Sequence, residues 1–405
     1  MFEKKKHLLY FAMFFILYEL TVYLSNDMIM PAMLQVVKEF NASNRNISFS
    51  LSLYILGGSM LQIFLGPIAD KVGKRKVMLV GNALFLVATL AIPFVSNINQ
   101  FLIARFFQGM GSCFIFIGYA MIHELFDDSD AVKLTAILSN TTVFAPLIGP
   151  VIGSGIIHVL PWQAIFGVSL LLGTIAWIGL YKFMPTGLIS PGKFELAKVR
   201  DSYLTIVRNR KFMFGIFIAA ISITPLTAWI GLSPVLVMEH IQASYSTYIV
   251  YQCVIFTGFI VSSVAIQRLG KKLQLERLIR QGGALAIVGL LGAGLLRDSG
   301  HLFIACMFVF SAGFGLFNGS LIRLSLMATG VSMSLTSSAM SLLYCVYIAG
   351  GLELYNLACD RYGYSISTYA LFNVPLAVCI YFGLQLFVRR HEAQQARLAH
   401  AASGA

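Results

Sequence analysis

Charge is what this chain has least of. Asp, Glu, Lys and Arg make up 11% of its 405 residues, against roughly 25% in a soluble domain. Too few charges remain to clothe a water-facing surface, which excludes a soluble globular fold. Cysteine is sparse as well: Cys113, Cys253, Cys306, Cys345, Cys359 and Cys379 stand singly with no C-x-x-C spacing, so neither a zinc site nor a disulfide framework is expected. The phosphate-cradling pattern G-x-x-x-x-G-K-[ST] does not occur, which excludes an ATP motor of that design. His123-Glu124 does not extend to H-E-x-x-H, because position 127 is Asp. Nothing outside the apolar segments is long enough for a catalytic domain. The chain therefore reads as a non-enzyme that needs no cofactor and no metal.

Apolar residues take the place of charge. They make up 58% of the chain and recur in runs of about 20 or more, each able to cross a hydrocarbon core of roughly 30 Å as an α-helix. Twelve spans fall near 8–37, 45–70, 76–95, 98–123, 132–158, 162–184, 212–238, 245–267, 278–296, 301–328, 334–358 and 365–388. The fold class is an all-α membrane protein. Lys4-Lys5-Lys6 before the first run looks like the start of a secretory leader. That run is too long, carries Glu19 and Asp27 and lacks a small-x-small site, so it reads as a retained span.

The net charge of +12 is a topology signal, not a sign of nucleic acid. Of the 29 Lys and Arg residues, 23 fall in the N-terminal segment, 71–76, Lys133, 182–211, 268–280 and the tail, all on one side of the membrane. The positive-inside rule then puts both termini in the cytoplasm. A polar stretch at 185–211 with Pro185 and Pro191 separates a six-helix half, 1–184, from a second, 212–390, with a tail at 391–405. Lys71-Val72-Gly73-Lys74-Arg75 is echoed by Arg268-Leu269-Gly270-Lys271-Lys272, and Gly109-x-Gly111 by Gly313-x-Gly315. Two pseudo-repeat halves are expected, with a site near the bilayer midplane.

The first span holds charges that lipid does not tolerate. Glu19, Tyr23, Asn26 and Asp27 stand at i, i+4, i+7 and i+8, within roughly a 100° arc of one helix. Such a stripe must face protein or water, and intramembrane carboxylates mark substrate or ion pathways. Glu19 sits near mid-span, and Asp27 about 12 Å further out at 1.5 Å of rise per residue. Glu19 reads as a proton or cation site. For Asp27 two compatible readings stand: proton handling, or an ion pair with Arg105 of the fourth span at the same depth. Arg323, close to the inner end of the tenth span, reads as snorkelling. Glu353, between glycines and leucines, is either a second acidic site or an interface residue. His123 and Glu124 read as a solvated helix end. At corresponding offsets the second half has Ser222 and Ile230 where the first has Glu19 and Asp27, so the halves are chemically unequal. Trp229 and Tyr251 are candidate pocket walls, although packing is the default role of an aromatic.

Three motifs carry a resemblance. Gly66-Pro67-Ile68-Ala69-Asp70-Lys71-Val72-Gly73-Lys74-Arg75-Lys76 resembles the loop signature G-x-x-x-D-R-x-G-R-[RK] of the major facilitator superfamily, with Lys71 in place of arginine. Gly66 and Gly73 read as tight helix ends, Asp70 as a cap or pair partner, and Lys74 and Arg75 as surface anchors. Ala145 to Gly155, with Pro146, Gly149, Pro150 and Gly153, looks like the antiporter signature of the exporting branches, or simply a kinked, closely packed helix. Leu102 to Gly109 resembles the fourth-helix signature whose arginine takes part in proton coupling. Leu17-Tyr18-Glu19, Tyr23, Asn26 to Ile29, Pro31 and His158 to Trp162 are similar to the multidrug/proton antiporters and chloramphenicol exporters of that superfamily, over essentially the whole chain.

The resemblance implies a monomer in the bacterial inner membrane that exports small amphipathic drugs by alternating access, driven by the proton gradient. It implies Glu19, Asp27 and Arg105 for proton coupling, and Gly66, Asp70, Gly73, Lys74 and Arg75 as a conformational latch. Glu19, Tyr23 and Asn26 are implied in the drug pocket, to which Asn140, Trp229, Tyr251 and Glu353 are added as candidate contacts. Expected partners are a small-molecule substrate, protons and the lipid bilayer. The same stripe would also serve a narrow exporter of one metabolite or siderophore. A scaffold without transport would have no use for buried charges.

Overall fold

The computed structural model describes residues 2–186, 196–269 and 274–403. Among them all regular structure is helical. In chain order the helices are α1 Lys6–Glu39, α2 Arg45–Val72, α3 Lys74–Phe94, α4 Ile98–Leu125, α5 Asp128–Val159, α6 Gln163–Phe183 and α7 Leu196–Arg208, then α8 Arg210–His240, α9 Tyr245–Leu269, α10 Leu275–Leu295, α11 Gly300–Leu326, α12 Met333–Tyr362 and α13 Ile366–Ser403. Eleven are long and apolar enough to cross a membrane, and α5 adds a shorter apolar stretch, Phe144–Val159. Together they are the twelve spans expected. Val80, Val87, Leu171 and Phe382 are each more than 60% exposed, which suits hydrocarbon as the outer solvent.

The helices break where their sequences require it. Pro31 sits in a 3₁₀ turn, Met30–Ala32, within α1. In α4 a 3₁₀ stretch spans Met110–Phe114, and α8 ends in a π-helical turn, Pro234–His240. Gly73 closes α2 at φ +104°, a backbone that L side chains resist. Gly66 does not make a helix end as expected: it lies inside α2, and a Cβ there would meet nothing within 4 Å.

By contacts the chain forms two compact units, residues 1–200 with 228–252, and residues 201–227 with 253–405. Within the first, Gly231 of α8 rests on Ser48 and Leu51 of α2, and Asn44 Nδ2 donates to Glu239 at 2.7 Å. Its core packs Phe11, Phe15, Tyr18 and Val22 of α1 against Tyr54, Phe85 and Phe114. Within the second, Tyr203 and Ile206 of α7 pack on Phe212 and Ile216 of α8 and Ala339 of α12. The stretch at 185–211, read as a polar linker, therefore contains an amphipathic helix. Leu196, Val199, Tyr203 and Ile206 carry its apolar period, which the surrounding charges masked. The expected tail continues α13 to Ser403. Pro191, Gly270, Lys271 and Lys272 lie outside the described residues.

The glycine echo holds as packing but in a shifted register. Gly109 abuts the Tyr54 backbone of α2 and Gly111 abuts Phe85 of α3, whereas Gly313 abuts Ala286 of α10 and Gly315 abuts Ser262 of α9. Since α9 and α10 are the counterparts of α2 and α3, Gly313 matches Gly111. Gly315 then matches Cys113, whose Sγ donates to the Gly57 carbonyl at 3.3 Å.

Candidate functional site

The polar side chains of α1 fall into two groups about 12 Å apart along the helix. The first group centres on Arg105, which is fully buried, as nearly is Asp27. Arg105 Nη2 donates to Asn26 Oδ1 at 2.6 Å, and Asn26 Nδ2 donates to Asp27 Oδ1 at 3.1 Å. An amide thus stands between guanidinium and carboxylate in place of a direct ion pair. The other guanidinium nitrogens also find neutral acceptors: Nε reaches Ser50 Oγ at 3.3 Å and Nη1 reaches Gln108 Oε1 at 2.5 Å. Its carbon lies 4.4 Å from the centroid of the Tyr54 ring, a contact worth about 2 kcal/mol when desolvated. Gln108 Nε2 in turn donates to Ser25 Oγ at 2.8 Å and Thr89 Oγ1 at 3.0 Å. One buried network therefore joins α1, α2, α3 and α4.

Glu19 forms the second group and is fully buried. Tyr119 donates its hydroxyl to Glu19 Oε1 at 3.0 Å, whereas the Thr141 hydroxyl donates to the Leu138 carbonyl of its own helix at 2.7 Å. Among the described residues Glu19 Oε2 has no hydrogen-bond partner. No Lys, Arg or His among the described residues pairs with this carboxyl. The sequence reading missed Ser25, Ser50, Tyr54, Thr89 and Tyr119. A weak signal existed for Tyr119, which follows Arg105 by about four helical turns.

The candidate antiporter motif faces the same helix. A Cβ on Gly149 would stand 2.6 Å from the Asp27 Cβ, and one on Gly153 would strike the Met28 backbone. With Pro146 and Pro150 inside α5, these glycines lay that helix directly on the turn of α1 that bears Asp27. At the α2–α3 turn Lys74 pairs with Glu124 at the end of α4 and lies 3.9 Å from Asp70. Arg75 Nη2 donates to the Tyr181 carbonyl of α6 at 2.5 Å. Glu124 is therefore an ion-pair partner and not merely solvated.

Trp229 and Tyr251 group with the first unit. Trp229 Nε1 donates to Gln252 Oε1 at 2.9 Å, and Gln252 Nε2 reaches Tyr248 and Ser233 at 3.1 Å each. Tyr23 and Asn26 are partly buried on α1, while Arg323 is exposed. Glu353 belongs to the second unit, half-buried, where it accepts from Asn356 Nδ2 at 3.3 Å. The Asn140 side chain lies outside the described residues.

Residues 15–350 match the family model of the Major Facilitator Superfamily. The multidrug transporter MdfA of Yersinia pestis bv. Antiqua is 38% identical over 392 residues, 94% of each chain. MdfA of Escherichia coli O6:H1 is 36% identical over 352 residues, 85% of this chain and 86% of that one. Among solved structures, the partially occluded inward-open xylose transporter XylE of E. coli superposes with a TM-score of 0.72 at 14% identity, covering 95% of this chain and 98% of that one. The human organic anion transporter MFSD10 gives 0.70 at 14% identity, with 93% and 99% covered. At such identities the likeness speaks to the fold alone.

Proposed function

The chain belongs to the Major Facilitator Superfamily, a family of membrane transporters, and on that premise we propose that it exports small amphipathic drugs, chloramphenicol-like compounds among them, in exchange for protons. It works by alternating access as a monomer in the bacterial inner membrane, with both termini in the cytoplasm and the polar stretch 185–211 between its six-helix halves. Names of its relatives support the substrate class. The observation that carries the reading is Glu19, a fully buried carboxyl with one oxygen left without a hydrogen-bond partner among the described residues. A bare carboxylate oxygen in such a place is strongly unfavourable. Binding a proton or the cationic part of a drug removes the penalty, and the two compete for one site. That competition is what an antiporter requires.

Asp27, Asn26 and Arg105 form the coupling group, in which protonation of Asp27 loosens a network that spans four helices. Tyr23, Asn26, Trp229, Tyr251, Asn140 and Glu353 are the further drug contacts. Gly66, Asp70, Gly73, Lys74 and Arg75 latch the inner helix ends, and Pro146, Gly149, Pro150 and Gly153 fix α5 against Asp27. The gradient must act through unequal ligand affinity in two states. Drug-induced proton movement in inverted vesicles tests the reading with wild type, Glu19→Ala and Asp27→Ala. Wild type should respond to chemically varied drugs and both variants should lose the response. If all three behave alike, the acidic pair is wrongly assigned.

A further inference from the structure

Away from α1, the second unit holds a cavity of about 480 Å³ where α8, α10, α11 and α13 end, lined among others by Lys211, Glu276, Arg323, His391 and Gln394. Lys211 Nζ contacts His391 Nδ1 at 2.6 Å and Gln394 Oε1 at 2.9 Å. On its other side the ring reaches Glu276 Oε1 through Nε2 at 3.3 Å. An ammonium group only donates, so Nδ1 accepts and the ring proton sits on Nε2, facing Glu276. His391 is neutral in this arrangement, and both hydrogen-bond partners of Lys211 are neutral. The Arg323 guanidinium has no hydrogen-bond or ion-pair partner among the described residues. Glu392 is taken by Arg280 Nη2 at 2.7 Å. Two full cations thus face one carboxylate, at the ends of membrane-spanning helices.

The first unit offers a contrast. A cavity of about 610 Å³ at the counterpart ends of α1, α3, α4 and α6 is lined by His7, Arg75, Glu124 and Lys182. There the charges are occupied: Glu124 pairs with Lys74, Arg75 bonds the Tyr181 carbonyl, and Lys182 lies over the Phe183 ring.

We propose that the second-unit cavity binds the phosphate of an anionic phospholipid headgroup. Lys211 and Arg323 hold its oxygens, Gln394 donates to them through its amide nitrogen, and Leu324 and Met327, which also line the cavity, receive the glycerol end. Basic pockets between spanning helices at a membrane face bind such headgroups. A headgroup is favoured over free phosphate because apolar wall and cations share one cavity at headgroup depth.

The test is native mass spectrometry of the full-length protein in detergent, titrated with phosphatidylglycerol, phosphatidylcholine or inorganic phosphate. Wild type should bind phosphatidylglycerol in preference to phosphatidylcholine. Arg323→Gln should weaken it roughly fivefold, and Lys211→Gln/Arg323→Gln roughly 30-fold, from about one cation's worth of attraction each. Arg323 is exposed and unbonded, so the single variant keeps the readout intact if the double variant misfolds. Unchanged binding in Arg323→Gln, equal binding of phosphatidylcholine, or displacement of the lipid by millimolar inorganic phosphate would each overturn the proposal. Binding in detergent does not depend on export, so its failure is separate from failure of the transport reading.

Discussion

Arg105→Lys keeps the positive charge and removes the fork, which separates two explanations of the buried network. Arg105 donates from three nitrogens to Asn26, Gln108 and Ser50, on three different helices. A lysine ammonium at the end of a straight stem cannot reproduce a planar array of donors. It can keep one of the three bonds. Hydrogen bonds to a charged group contribute about 1.5–3 kcal/mol each, so losing two costs roughly 3 kcal/mol or more, over a hundredfold in the equilibrium between formed and broken network. The acceptors left behind are buried, which adds to the loss. Thermal unfolding of the purified variant should show a clear fall in midpoint, and drug-driven proton movement should drop with it. Arg105→Gln, which removes the charge as well, should be worse still. If Arg105→Lys matches wild type in both assays while Arg105→Gln fails, only the charge matters and the fork argument is wrong.

The remaining predictions concern backbone and relay. Gly149→Ala puts a methyl 2.6 Å from the Asp27 Cβ and should cost roughly 1–3 kcal/mol of stability through overpacking, together with transport; Gly155→Ala, whose Cβ would meet nothing, should be neutral or gain up to about 1 kcal/mol, and a larger loss there than at Gly149 would contradict the packing account. Gly73→Ala, at φ +104°, should destabilise by about 1–3 kcal/mol, while Gly66→Ala should not, as thermal midpoints will show. Asn26→Asp keeps the acceptor for Arg105 but removes the donor to Asp27 and sets two carboxylates side by side, so proton-coupled export should fall at least about tenfold; retained coupling would mean that the amide bridge is incidental.

The spans were legible because lipid imposes one rule, about 20 apolar residues per crossing, and only a few charged residues interrupt them. Glu19, Asp27 and Arg105 stood out for the same reason: a charge among Leu and Phe has no ordinary explanation. Their partners did not stand out. Ser50, Thr89 and Tyr119 are common residues in spanning helices, and only a three-dimensional neighbour distinguishes one serine or tyrosine from the next. Asn26 was noticed for its position on the stripe, yet its bridging role depends on Arg105, 79 residues away. The α7 helix escaped because its apolar period at Leu196, Val199, Tyr203 and Ile206 is interrupted by lysine, arginine and aspartate. The shifted glycine echo shows the limit of offset counting, since a two-residue slip turns a helix face by about 200°.

Glu19 and Asp27 share one helix, but their surroundings make them unequal partners in the proposed cycle. Among the described residues, a proton on Glu19 acts on one hydrogen bond, that from Tyr119 of α4. A proton on Asp27 acts next to Asn26, and through it on Arg105, Gln108, Ser25, Ser50 and Thr89, which join four helices. It also acts where Gly149 holds α5 against α1 without a side chain between them. Exchange at Glu19 is therefore suited to choosing between proton and drug, a decision that needs little rearrangement. Exchange at Asp27 is suited to changing which arrangement of helices is stable, because its charge is tied through Asn26 to Arg105 and Gln108, whose bonds together join four helices.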